Sequence, residues 1–126
     1  MKYLNDYTKD ATTKLFEDNG AFFAFSDKQL DEQKKEGVVY VSMGAGFVCP
    51  KNNALALHQG LRDVMARGIS ADIAENGKEA IIERELSNHE AYHTGDLENT
   101  FYSLDGYGFT IEDVRGVYTA TKANHL

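Results

Sequence analysis

The sequence predicts an α+β fold: a single domain over residues 1–126, mainly helical with five to six helices, carrying a small sheet of two or three strands. Three observations lead there. Apolar residues recur at helical spacing through most of the chain. Two short runs, 21–25 and 38–43, are instead aromatic or β-branched. Turn signals, Asn19-Gly20, Gly44-Ala45-Gly46 and Asn76-Gly77, with Pro50, separate the segments.

Leu4, Tyr7, Ala11 and Leu15 mark a first helix over 3–18, stopped by Asn19-Gly20. The aromatic run 21–25 reads as a strand. Ser26 and Gln29 fit a capping box opening a second helix, which Lys34, Lys35 and Gly37 close: positive charge at the C-terminal carbonyls, then glycine. Residues 38–43 form the next strand, and the Gly44-Ala45-Gly46 turn leads to a third over 47–49. Pro50 ends it because proline cannot donate to a ladder.

From Asn53 the pattern is helical. Leu57, Leu61, Val64 and Met65 share a face of a third helix, with a bend or break expected near Gly68, since an interior glycine costs about 1 kcal/mol relative to alanine. A fourth helix is expected over 78–93, ended by Gly95. Asp96 caps a short fifth helix carrying Leu97, Phe101 and Leu104. Thr110 and Asp113 open the last helix, with Ile111, Val114 and Tyr118 on one side.

Composition narrows the function classes. At 42% hydrophobic with 7 Phe and 7 Tyr, the chain can build a packed globule. No apolar run approaches the roughly 20 residues that span a bilayer, no apolar signal core follows Met1, and the lone Cys49 has no internal disulfide partner. These favour the cytoplasm. The net charge is −7, unevenly placed: residues 71–113 hold eleven acidic side chains against Lys78 and Arg84 alone, nine net negative charges. With no basic stripe, direct binding to a phosphate backbone is not expected. The segment reads either as a solvated helical face or as an acidic surface aimed at a basic partner, with Glu75, Glu79, Glu83, Glu85, Asn88, Glu90, Asp96 and Glu98 as the partner-binding residues.

One string names a chemistry. His89-Glu90-Ala91-Tyr92-His93 is a complete H-E-x-x-H, in which two histidines four apart on one helix face hold zinc and the glutamate acts as base on metal-bound water. Ile82, Leu86, His89 and His93 stay within roughly 60° of one another on a helical wheel, so the same spacing fits two packed histidines. The context agrees poorly with zinc. A catalytic site needs a third protein ligand, and the positions where one metzincin pattern places Gly and His hold Asp96 and Asn99. Asp96, His58, Glu112 and His125 are candidates that nothing in the sequence selects. The expectation is therefore no cofactor and no catalytic residue, with zinc on His89 and His93 and Glu90 as base the alternative.

Other constellations are weak. Gly44-x-Gly46 lacks a third glycine and no helix start follows, so dinucleotide binding is unsupported. Cys49 reads as a small hydrophobe. Phe22, Phe23 and Phe25 have no basic neighbours for nucleic-acid stacking and are expected in the core.

Several stretches together carry a resemblance: Gly20-Ala21-Phe22-Phe23-Ala24-Phe25-Ser26, the run from Gly37 through Gly46 with Cys49-Pro50-Lys51, Asp72-Ile73-Ala74-Glu75-Asn76-Gly77, Glu85-Leu86-Ser87-Asn88-His89-Glu90, and Tyr107-Gly108-Phe109-Thr110. Nearly the whole chain resembles a family of small uncharacterised proteins of bacteriophages, prophages and plasmids. The resemblance assigns no activity. It implies that Asn88-His89-Glu90 and Thr94-Gly95-Asp96 belong to the family pattern and that His93 does not. A small acidic protein of a mobile element is expected to be a non-enzymatic accessory protein that binds a host protein, such as an anti-CRISPR-like inhibitor of a defence or nucleic-acid-processing complex. A structural or assembly-associated phage protein is the third reading.

Overall fold

In the computed structural model, which describes residues 1–125, the order of elements is α1 (Leu4–Asn19), β1 (Phe22–Phe23), α2 (Asp27–Gln33), β2 (Tyr40–Gly44), β3 (Phe47–Pro50), α3 (Ala54–Asn76), α4 (Lys78–Asn88), α5 (Ala91–Thr94), α6 (Glu98–Ser103) and α7 (Ile111–Thr121). Short 3-10 turns cover Lys51–Asn53 and Lys122–His125. The α+β class stands, with seven α-helices among the described residues where five or six were expected. The surplus arises because the expected fourth helix is two.

The chain divides into two compact units of equal length: unit 1, Met1–Leu4 with Gly68–Leu126, and unit 2, Asn5–Arg67. The division falls inside α3.

Unit 2 contains the sheet, antiparallel in the order β1-β3-β2. Val41 pairs with Cys49 and Ser42 with Val48, and a bulge between Ser42 and Gly44 ends the regular register. Val38 and Val39 lie outside β2, and β1 is only two residues long. The α2 cap is half of the expected box. Ser26 Oγ accepts from Gln29 N at 3.2 Å, but Gln29 Oε1 accepts from Phe25 N, not from Ser26 N. The core of this unit is Phe47, Cys49 and Leu57, flanked by Leu15, Phe16, Ala21, Met43 and Leu61. Burial pushes the Cys49 thiol above its ordinary range.

Two aromatic expectations fail here. Phe23 is 49% exposed and Phe25 73%. Phe25 lies across Gly46, where an added Cβ would collide with the ring, and stacks parallel to Phe23. A half-chain core this small has no room for both rings.

The expected break near Gly68 does not occur, and α3 runs unbroken for 23 residues. Gly68 is buried, and at Gly60 a Cβ would sit 2.8 Å from Leu15 Cδ2. At Gly60 this close approach offsets the helical cost of glycine. Met65 turns to solvent at 45% exposure, so only Leu57, Leu61 and Val64 face inward.

Unit 1 has the larger core: Ile69, Ile81, Ile82, Leu86, Ala91, Leu104, Tyr107 and Val114. Thr110 and Asp113 open α7 as expected, and they do so as a capping box, with Thr110 Oγ1 accepting from Asp113 N at 3.1 Å and Asp113 Oδ2 accepting from Thr110 N at 2.9 Å. The Thr110 backbone N–H holds the Asp113 carboxyl below its ordinary range, with Lys78 assisting at 3.3 Å.

Candidate functional site

The H-E-x-x-H string does not lie on one helix. α4 ends at Asn88, and His89 is its C-terminal cap with φ −99 and ψ 12. Glu90 follows with φ 57 and ψ 28, a left-handed conformation unusual for a residue with a side chain. Its N–H closes a tight turn on Ser87 O at 3.1 Å, and α5 then starts afresh, His93 N donating to Glu90 O at 3.0 Å. The expected helix over 78–93 is thus corrected to α4, a left-handed residue, and α5. The physical gain is at Ala91, fully buried in the unit 1 core, with Tyr92 and Leu97 packed against the same cluster. A left-handed Glu90 costs on the order of 1–2 kcal/mol, and burying α5 offsets it.

The break removes the helical stripe that would align the two imidazoles. Ile82 and Leu86 are fully buried as expected, whereas the His89 side chain is 30% exposed. His89 Nε2 is nevertheless buried. It stands 3.5 Å from Glu85 Oε2, within ion-pair range but without the geometry of a hydrogen bond, and has no hydrogen-bond partner among the described residues. His93 is exposed and opens on a cavity of about 370 Å³ lined by Ser87, Glu90, Tyr92, His93 and His125. The His125 ring stacks on Tyr92 at 3.9 Å and its Nε2 meets Glu83 Oε1 at 3.0 Å. Among the described residues no three His, Cys, Asp or Glu side chains are grouped to hold a metal ion.

The acidic candidates separate by burial. Glu75, Glu79, Asn88, Glu90, Asp96 and Glu98 are exposed, and Glu83 is half-buried. Asp96 Oδ1 accepts from Glu98 N at 2.9 Å, and Glu98 accepts from the Tyr102 hydroxyl at 3.1 Å. Glu85 is the correction. It is 8% exposed and cannot form part of a docking face. Its partner is Arg84, also buried, whose Nε donates to Glu85 Oε1 at 2.9 Å. Asn88 reaches Glu85 Oε2 at 3.5 Å.

Arg84 in turn forks onto Asp72, donating from Nη1 to Oδ1 and from Nη2 to Oδ2, both at 3.0 Å. Asp72 is fully buried and takes two further bonds, from the Tyr107 hydroxyl at 2.6 Å and Asn76 Nδ2 at 2.8 Å. Arg84 also donates to Lys2 O at 3.0 Å and lies 5.6 Å from the centre of the Tyr3 ring. Burial alone would raise the Asp72 carboxyl, but the bonds from Arg84, Tyr107 and Asn76 outweigh it and hold the group below its ordinary range. Burial, then the adjacent Asp72, pushes the Tyr107 hydroxyl well above its ordinary range. The network is a core feature that sequence reading missed. Asp72 and Arg84 are twelve apart on different helices, a separation without a local signal. The Asp72–Asn76 pair, four apart on α3, was the one legible hint.

What remains at the surface is acidic. Nine of the eleven carboxylates in 71–113 reach solvent, while Arg84, one of only two cations there, is used internally on the two that do not. The other, Lys78, pairs with Asp113. Among the described residues no helix is long and apolar enough to cross a membrane.

The chain belongs to a family of unknown function (DUF7659), which matches residues 4–123. No curated protein and no solved structure matches it.

Proposed function

We propose that this chain is a non-enzymatic accessory protein of a phage or related mobile element, acting in the host cytoplasm by binding a host protein through the acidic surface of unit 1. The partner is a basic face, such as the nucleic-acid groove of a defence or processing complex. An anti-CRISPR-like blockade is one form this takes. The observation that carries the reading is the surface charge of 71–113: nine carboxylates reach solvent there, against one half-buried cation, Lys78, which is paired with Asp113. Such a surface raises the encounter rate with a basic groove and repels nucleic acid itself. Glu75, Glu79, Asn88, Glu90, Asp96 and Glu98 are exposed and remain in the proposed docking set.

The test is capture from host lysate at low salt, repeated with added DNA or RNA as competitor. A specific basic protein should be retained, released by salt, and displaced by nucleic acid. The triple variant Glu75→Lys, Glu79→Lys, Glu98→Lys should weaken capture roughly tenfold, at about 0.5 kcal/mol for each ion pair removed. Asp10→Lys with Glu17→Lys and Asp27→Lys, in unit 2, should leave it intact. Equal loss in both triples, or retention that nucleic acid does not disturb, sinks the reading.

A further inference from the structure

We infer that the outer edge of β2 is a pairing surface for β2 of a second copy of this chain. β1 and β2 are the two edges of the sheet, and they differ. On β1, Gln33 Nε2 donates to Phe23 O at 3.0 Å, so a side chain already occupies that carbonyl. On β2, Lys51 N donates to Val39 O at 2.8 Å, and Val41 stands opposite Cys49. Antiparallel ladders alternate. Val39 and Val41 therefore turn their backbone groups to the β3 side, and Tyr40 and Ser42 turn theirs outward. Pro50, opposite Tyr40, has no N–H to contribute, which this alternation accommodates.

Symmetry argues for a second copy as the occupant. A strand reversed about Val41 sets Tyr40 of one copy against Ser42 of the other, and the reverse, giving two hydrogen-bonded pairs related by a two-fold axis. Val41 then meets Val41 in the central non-hydrogen-bonded pair, with Cβ atoms about 4.5–5.5 Å apart. Val39, 66% exposed, stands just beyond the last pair, beside the bulged Met43 of the other copy, and becomes covered. The bulge after Ser42 ends the ladder and fixes its length.

Charge points the same way. Residues 37–50 contain no charged side chain, so neither Lys nor Glu guards this edge. Unit 2 holds nine acidic and eight basic side chains, unit 1 eleven and five. A chain of net charge −7 meets its own copy with least repulsion through the near-neutral unit, and at its uncharged edge.

The test is sedimentation velocity over a concentration series, with circular dichroism to confirm folding. The wild-type chain should pass from monomer to dimer. Ser42→Pro removes an outward donor without touching a bond to β3, and Val39→Lys places a charge on an exposed position. Each should weaken the dimer roughly tenfold or more. Val41→Cys should yield a disulfide-linked dimer under mild oxidation, while Val39→Cys should not, and buried Cys49 should stay reduced. A chain that stays monomeric up to millimolar concentration overturns the inference. So does a dimer equally tight in Val39→Lys, the variant that decides if Ser42→Pro fails to fold, or preferential trapping through Val39→Cys.

Discussion

The two units have equal length and opposite ways of using charge. Unit 1 carries a formal net charge of −6 and is the better buried half, with eight apolar core residues and three internal charged groups, Asp72, Arg84 and Glu85. Unit 2 is near neutral and equally aromatic, with seven Phe and Tyr side chains in each half, yet its core cluster is three residues and two phenylalanines face solvent. Burial therefore does not follow hydropathy between the halves. Unit 1 packs densely because its inward polar atoms satisfy one another, each Asp72 oxygen taking two bonds. Unit 2 keeps aromatic rings outside because a short sheet and the facing sides of α1 and α3 cannot enclose them.

Removing the central cation should break this contrast most severely. Arg84→Met leaves Asp72 and Glu85 buried without their partner and should cost about 3–5 kcal/mol, read by urea denaturation. Hydrogen exchange should localise the loss to α4 and α7. If the network is dispensable, exchange there will not change.

Leu57→Ala is the matching deletion in unit 2, where the side chain is fully buried. It should cost about 2–4 kcal/mol through transfer and cavity terms, with increased exchange in β2 and β3. A loss below about 1 kcal/mol would mean the small core collapses to fill the gap.

Acid should separate the units more gently. Asp72 is held below its ordinary value of 3.8, so its ionised form is favoured in the fold. That contribution is complete above the unfolded value and disappears as pH falls through the lower folded value. Amide protection in α4 and α7 should therefore decline below about pH 4 ahead of that in the sheet. Equal decline in both units would remove Asp72 as the cause.

The smallest effect has an informative sign. Glu90→Gly should stabilise by about 1 kcal/mol, because glycine adopts φ 57 without strain. Were 78–93 one helix, the same change would destabilise by about as much. Thermal melting reads the sign directly.

Much of this molecule was legible because its signals are local. The capping residues Ser26, Thr110 and Asp113, the stop at Asn76-Gly77 and the β-branched run before Gly44 each act within a few residues, where spacing alone fixes which backbone groups can meet. The acidic segment was legible as composition, and most of its carboxylates do reach solvent. Tertiary structure decided the rest. Periodicity carried the fourth helix through to His93, yet burial of Ala91 outweighed the local preference and turned the chain at Glu90, so the motif's two histidines do not share a face. Glu85 and Arg84 read as surface charges until α3 brought Asp72 beside them. Which charges are inside depends on which helices meet, and that is settled by packing across a separation that no short window of sequence contains.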